Sequence, residues 1–161
     1  MGPYAYIAIE GNIGAGKTTF TELVAKQHGY ELILERFEEN PFLERFYEDP
    51  KSHAFSVELA FVADRFKQLR EALGSRNLFR QQVLADYSFA KSLIFAKANL
   101  PQSEFALFRT MFRLMEAQVP KPEVIAILNP GIEKVKNQIV ERGRSYEQDM
   151  PEGYLERVWS G

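Results

Sequence analysis

YAYIAIEGNIGAGKTTF, residues 4–20, decides the fold. A short apolar run, Tyr4 to Ile9, breaks into a glycine-rich loop that closes on Gly16-Lys17-Thr18 and opens a helix. That strand–loop–helix context makes G-x-x-x-x-G-K-[ST] readable as a phosphate-binding P-loop. Gly11, Gly14 and Gly16 let the backbone turn tightly, so that successive N–H groups point inward. The helix from Lys17 adds the positive end of its dipole. Lys17 can reach β- and γ-phosphates, and the Thr18 hydroxyl can ligate Mg²⁺. The stretch therefore implies a nucleoside triphosphate seated on Gly11, Asn12, Ile13, Gly14, Ala15, Gly16, Lys17, Thr18 and Thr19. A glycine-rich turn that binds nothing is the alternative, and the complete, correctly placed pattern argues against it.

The rest of the composition narrows the setting. A chain of 161 residues, 45% hydrophobic and 26% charged, suits one domain over 1–161 with a sizeable core. A net charge of −2 gives no electrostatic footprint for nucleic acid or an anionic membrane. With no cysteine, disulfide and thiol chemistry are excluded, which fits a reducing cytoplasm. No apolar run approaches the ~20 residues needed to span a bilayer, and no signal-peptide layout precedes the first strand. The expected location is cytoplasmic.

Beyond the loop, residues 17–28 read as a helix with Phe20, Leu23 and Val24 on one face and Gly29 as its stop. Glu31 to Glu35 is a short β-like run, so a strand–helix–strand unit and a parallel sheet follow. Glu35 ends that strand, at the sheet edge where ligands bind in open α/β folds. It is a candidate general base, with a solvated strand-end glutamate equally open on position alone. Asn40-Pro41 reads as a helix start. A long amphipathic helix is expected over 54–74, with Phe55, Leu59, Val62, Phe66, Leu69 and Leu73 inward. Glu58 and Arg65 share a face beside that stripe, which by default is a surface pair. A loop is expected at 74–77.

A third strand, Gln82 to Ala85, ends at Asp86, the position from which an acidic residue holds Mg²⁺ beside a P-loop. Helices are expected over 89–97 and from Glu104, capped by Ser103, to Val119. Val124 to Leu128 is a fourth strand. Asn129-Pro130 opens a helix that ends at Arg142-Gly143-Arg144. Two arginines around a flexible glycine suit a lid, at about 138–150, that closes on phosphates; a basic helix end favoured by the dipole is the alternative. A last short helix runs from Tyr154. His28 and His53 stand alone, without metal-ligand spacing.

Taken in order, GNIGAGKTT, E-(x)4-NPFLERFY, FSVELAFVADRF, DYS, IFA and RGRSYEQ resemble the deoxynucleoside kinases, over about Tyr6 to Leu155. These enzymes phosphorylate the 5′-hydroxyl of a deoxynucleoside with ATP·Mg²⁺, and the likeness is to bacterial members of the purine type. The resemblance implies an α/β P-loop kinase fold, three layers around a mostly parallel sheet. It also implies roles. Glu35 matches the general base. Tyr47 matches the tyrosine on the sugar 3′-hydroxyl, with Glu147 its acidic partner. Arg142 and Arg144 match the lid arginines. Asp86 matches an acidic residue near Mg²⁺ and the 5′-end, Phe95 the phenylalanine stacked on the base, and Arg65 an arginine near the base edge. The Glu58/Arg65 face becomes a wall of the nucleoside pocket. A homodimer through long helices is allowed.

Three departures from the family pattern shape the expectations. Tyr87 stands where the arginine of [DE]-R-[ST] is usual, and Lys91, one turn on, is the candidate replacement. Glu58 stands where glutamine is frequent. An ionised glutamate only accepts hydrogen bonds, and guanine presents two donors, N1–H and the N2 amine, with an O6 acceptor that Arg65 or Lys91 could meet. Deoxyguanosine is therefore favoured over deoxyadenosine. A fifth strand and an adenine-contacting loop, which follow the lid in the family, are expected to be missing, leaving four strands. Two other readings compete. A thymidylate-kinase-like monophosphate kinase shares the P-loop and an Asp64-Arg65-Phe66 motif, and a non-catalytic nucleotide-binding protein would need no base.

Overall fold

The computed structural model describes residues 5–74, 82–148, 150 and 153–159. Along the chain these form β1 (Tyr6–Gly11), α1 (Lys17–His28), β2 (Glu31–Ile33), α2 (Leu43–Glu48), α3 (Pro50–Gly74), β3 (Val83–Ala85), α4 (Lys91–Asn99), α5 (Gln102–Glu116), β4 (Val124–Leu128), α6 (Ile132–Arg142), α7 (Ser145–Gln148) and α8 (Tyr154–Trp159). The described strands make one parallel sheet in the order β2-β3-β1-β4. Because all run the same way, the segments leaving β1, β2 and β3 emerge along one edge, where α/β folds bind ligands.

The two-residue period of a strand divides the core. Tyr6, Ile33, Val83 and Ala85 face a cluster completed by Leu69 of α3 and Phe108 and Phe112 of α5. Ile9 and Leu84 point the other way, onto Ala25 of α1. Helices cover both faces, which gives the three-layer α/β/α arrangement expected, with four parallel strands. β4 is an edge strand among the described residues, and its Ile127 is 69% exposed.

Several local expectations are corrected. β2 stops at Ile33, so Glu35 lies in the segment beyond it, ahead of a 3-10 turn at Phe37–Glu39. Asn40-Pro41 does not open the next helix. α2 begins at Leu43, and the Asn40 carbonyl side chain accepts the Phe42 N–H at 3.0 Å. The proline at a helix start is realised instead at Pro50, which begins α3 four residues before the expected 54. α5 starts at Gln102 after an extended Pro101, so Ser103 lies inside the helix and does not cap it. α4 starts at Lys91, later than 89, and α6 starts at Ile132, after Gly131 at φ 86°.

The buried face of α1 is Thr21 and Ala25, and Leu23 is 63% exposed, with Phe20 also outward. Small side chains let this helix lie close on the sheet, which leaves its larger residues at the flanks. The loop expected at 74–77 lies, beyond Gly74, outside the described residues, as does the end of the last helix beyond Trp159.

Candidate active site

The P-loop follows β1 with its backbone forced into an uncommon conformation. Gly14 has φ 75° and packs so closely on α6 that a Cβ would sit 2.7 Å from Ile139 Cγ1. Gly16, at φ 82°, is the left-handed residue from which α1 departs. Lys17 folds back over this loop and donates to the carbonyls of Gly11, at 2.9 Å, and Asn12, at 2.8 Å. Its burial, then the nearby Lys91 ammonium, bring its pKa down to about 7.

Asp86, leaving β3, joins the two halves of the site. Its Oδ2 accepts from the Thr18 hydroxyl at 2.5 Å, and its Oδ1 accepts the Glu35 backbone N–H at 2.8 Å. One carboxylate thus holds both the phosphate loop and the segment beyond β2. Glu10 of β1 fixes the next turn, accepting from the Ser88 N–H and hydroxyl.

Glu35 sits between two cations. Its Oε1 accepts from Arg65 Nε at 2.8 Å and Nη2 at 2.5 Å, and its Oε2 accepts from Lys91 Nζ at 2.5 Å. Burial alone would raise this carboxyl. Lys91 and Arg65, by charge and by hydrogen bond, more than reverse that and hold it well below the usual carboxylate range. Arg65 is 3% exposed and its Nη1 donates to the Ser92 hydroxyl, so it is no surface residue. Its guanidinium was expected at the base edge, and the structure ties it to Glu35. Lys91, the candidate substitute for the missing arginine, has its ammonium on the Glu35 carboxylate. Tyr87 is buried and donates to Gln68 Oε1.

The cleft between these groups, counted with the space it opens to solvent, holds about 760 Å³. It brings together Ile13, Gly14, Lys17, Thr18, Glu35, Tyr47, Glu58, Arg65, Asp86, Lys91, Phe95, Arg142, Arg144 and Glu147, nearly every residue the sequence singled out. Gly11, Asn12, Ala15, Gly16 and Thr19 do not line it. The Asn12 side chain is buried, and its amide donates to the Leu155 carbonyl of α8 at 2.9 Å.

Where a lid was expected, α6 ends on Gly143 at φ 67°, and α7 follows at once. Glu147 accepts from both Arg142 and Arg144. Arg144 also pairs with Glu38 at 3.2 Å and lies 3.9 Å from the Phe37 ring centroid. The turn between α6 and α7 is therefore tied to the segment that carries Glu35.

Glu58, 2% exposed, forms part of the far wall. Its Oε1 accepts from Asn99 Nδ2 at 2.6 Å, and its Oε2 is buried with no hydrogen-bond partner. Burial pushes its pKa up to about 7, against the pull of the Asn99 hydrogen bond and the Arg65 charge. Asn99, Tyr154, Phe37 and Ser92 were missed from sequence. Asn99 and Ser92 sit in α4, whose sequence has no periodic stripe to mark a functional face.

Comparison with known proteins follows the same lines. The family model for Deoxynucleoside kinase matches residues 7–160. Deoxyguanosine kinase of Bacillus subtilis (strain 168) is 34% identical over 160 residues, which cover 99% of this chain and 77% of that protein. Deoxyadenosine/deoxycytidine kinase of the same organism is 28% identical over 156 residues, covering 94% and 72%. The structure of deoxyadenosine kinase from M. mycoides with bound dATP superposes with a TM-score of 0.82 at 28% identity, covering 94% of this chain and 79% of that one.

Proposed function

The chain belongs to the deoxynucleoside kinase family, and from that premise we propose that it transfers the γ-phosphoryl group of ATP to the 5′-hydroxyl of a purine deoxynucleoside, deoxyguanosine before deoxyadenosine. The family displaces the monophosphate-kinase and non-catalytic readings. The observation that carries the proposal is the Glu35 carboxylate, held by Arg65 and Lys91 and joined through Asp86 to the P-loop.

In this reading the nucleoside 5′-oxygen attacks the γ-phosphorus, the bond to the β,γ-bridging oxygen breaks, ADP leaves, and the hydroxyl proton passes to Glu35. A carboxylate pulled below its usual range is a weak base. That suits a loose phosphoryl transfer, in which the nucleophile sheds its proton late. Lys17, Arg142 and Arg144 line the same cleft and meet the charge of the transferring group. Arg142 and Arg144 belong to a lid at about 138–150, on the single domain spanning 1–161. Thr18 Oγ1 and Asp86 Oδ2 are hard oxygen donors 2.5 Å apart. That donor set suits Mg²⁺, which takes few protein ligands and completes its shell with phosphate and water. Bound there, Mg²⁺ would neutralise phosphate charge.

Tyr47 and Glu147 share the cleft and suit the sugar 3′-hydroxyl, and Phe95 suits the base. The unpartnered Glu58 Oε2, acceptor-only when the carboxyl is ionised, supports guanine, whose edge carries two donors. The 34% likeness to a deoxyguanosine kinase supports the same preference. Glu35→Gln tests the mechanism. Turnover of deoxyguanosine with ATP is expected to fall by about 10²–10⁴-fold with ATP affinity unchanged; a mutant as active as the wild type would remove Glu35 from the mechanism.

A further inference from the structure

Glu58 does not stand alone. Asn99 ends α4 behind it, away from the P-loop, and spends both protons of its amide there. Nδ2 donates to Glu58 Oε1 at 2.6 Å and to the Tyr154 hydroxyl oxygen at 3.3 Å. Tyr154 is itself buried in the first turn of α8. The carboxylate is gripped on one oxygen from outside the cleft, and the other oxygen is left without a partner.

We propose that Asn99 is a specificity-positioning residue: anchored on Tyr154, it fixes the Glu58 carboxylate so that Oε2 meets the hydrogen-bonding edge of guanine. The proposal rests on the reading of Glu58 as the base-recognising group. The chemistry follows from what each form of Glu58 offers. Ionised, it accepts from guanine N1–H and N2–H. Protonated, it donates one hydrogen bond and accepts another, which matches adenine N1 and the N6 amine. A side chain that only donates to Glu58 favours the ionised form, and Asn99 does that. The other charged or titratable groups around Glu58 are Arg65 on its own helix, Glu35 beyond β2, Lys91 on α4, Tyr47 on α2 and Tyr154 on α8. Arg65 and Lys91 favour the ionised form, and Glu35 opposes it.

The experiment measures kcat and KM for deoxyguanosine and deoxyadenosine from pH 5.5 to 9 in wild type, Asn99→Leu, Asn99→Asp and Glu58→Gln. In the wild type the deoxyguanosine/deoxyadenosine ratio of kcat/KM is expected to rise through about pH 7, where Glu58 ionises. Asn99→Leu should cut kcat/KM for deoxyguanosine about tenfold, through KM, and move the pH midpoint of the ratio upward. Its kcat should stay close to wild type, because Glu35 and its cations are untouched.

Asn99→Asp keeps the side-chain shape, so it should fold even where leucine does not. It adds an acid beside Glu58 and should move the midpoint the same way. If Glu58→Gln shifts the base preference but neither Asn99 variant moves the ratio or its midpoint, Asn99 is only structural and the proposal is overturned with Glu58 recognition intact. Equal losses for both nucleosides would overturn it in the same way. If Glu58→Gln leaves the preference where it was, Glu58 does not read the base, and both ideas fall together.

Discussion

Lys17 is buried, donates to two loop carbonyls and is brought to a pKa of about 7. A lysine in that state is half neutral near neutrality and mostly neutral at pH 8. A triphosphate placed against it favours the ammonium form, so nucleotide binding at pH 8 must draw a proton from solvent. Titration calorimetry in two buffers of different ionisation enthalpy is expected to show uptake approaching one proton per ATP. Uptake should fall toward zero at pH 6, where Lys17 is already charged, and Lys17→Met should abolish it. The motif announced this lysine but not its protonation, which depends first on its burial and then on Lys91 arriving from a distant segment. Arg65 teaches the same thing. Its seven-residue spacing from Glu58 put both on one face of α3. Only the rotation of that face toward the P-loop edge turned the guanidinium onto Glu35.

At the level of elements, α1 shows which helix faces can be read from sequence. The apolar residues Phe20, Leu23 and Val24 share one face by spacing, yet the residues buried on the sheet are Thr21 and Ala25, with Val24 packed beside them. Hydrophobic periodicity assumes that bulk goes inward, whereas a helix pulled close by a P-loop needs small residues at its contact line. Ala25→Leu is therefore expected to cost about 1–3 kcal/mol by overpacking against Ile9 and Leu84. Leu23→Lys should change stability by less than about 0.5 kcal/mol. Thermal or denaturant unfolding of the two variants checks the contrast, and the reverse order would put Leu23 rather than Ala25 on the contact line. Elsewhere the pattern was legible. The strands were found because short β-branched runs end at chemistry-bearing residues, and α3 and α5 because long stripes face a thick aromatic core. The starts of α2, α3 and α5 were not, because Asn-Pro and Ser-x-x signals near them compete and tertiary packing chooses among them.

For the whole molecule, the parallel order β2-β3-β1-β4 delivers the P-loop, Glu35 and Asp86 to one edge, and α3, α4 and α8 close the far side of the cleft, where the nucleoside is proposed to bind. That convergence was legible from strand ends and motif order. What joins the two sides was not, because it runs through a loop side chain and a helix carbonyl. The Asn12 amide donates to the Leu155 carbonyl, next to Tyr154, which lines the cleft. Coupling between the two ligands is expected to run through this hydrogen bond. Linkage requires that a non-hydrolysable ATP analogue and deoxyguanosine change each other's affinity by one common factor, expected to be roughly fivefold or more. Asn12→Ala should bring that factor toward unity. Calorimetric titration of each ligand with and without the other measures it, and independent affinities in the wild type would show that the tie transmits nothing. If the factor favours joint binding, the Asn12–Leu155 hydrogen bond makes ATP alone the less populated complex, and idle hydrolysis of ATP falls with it.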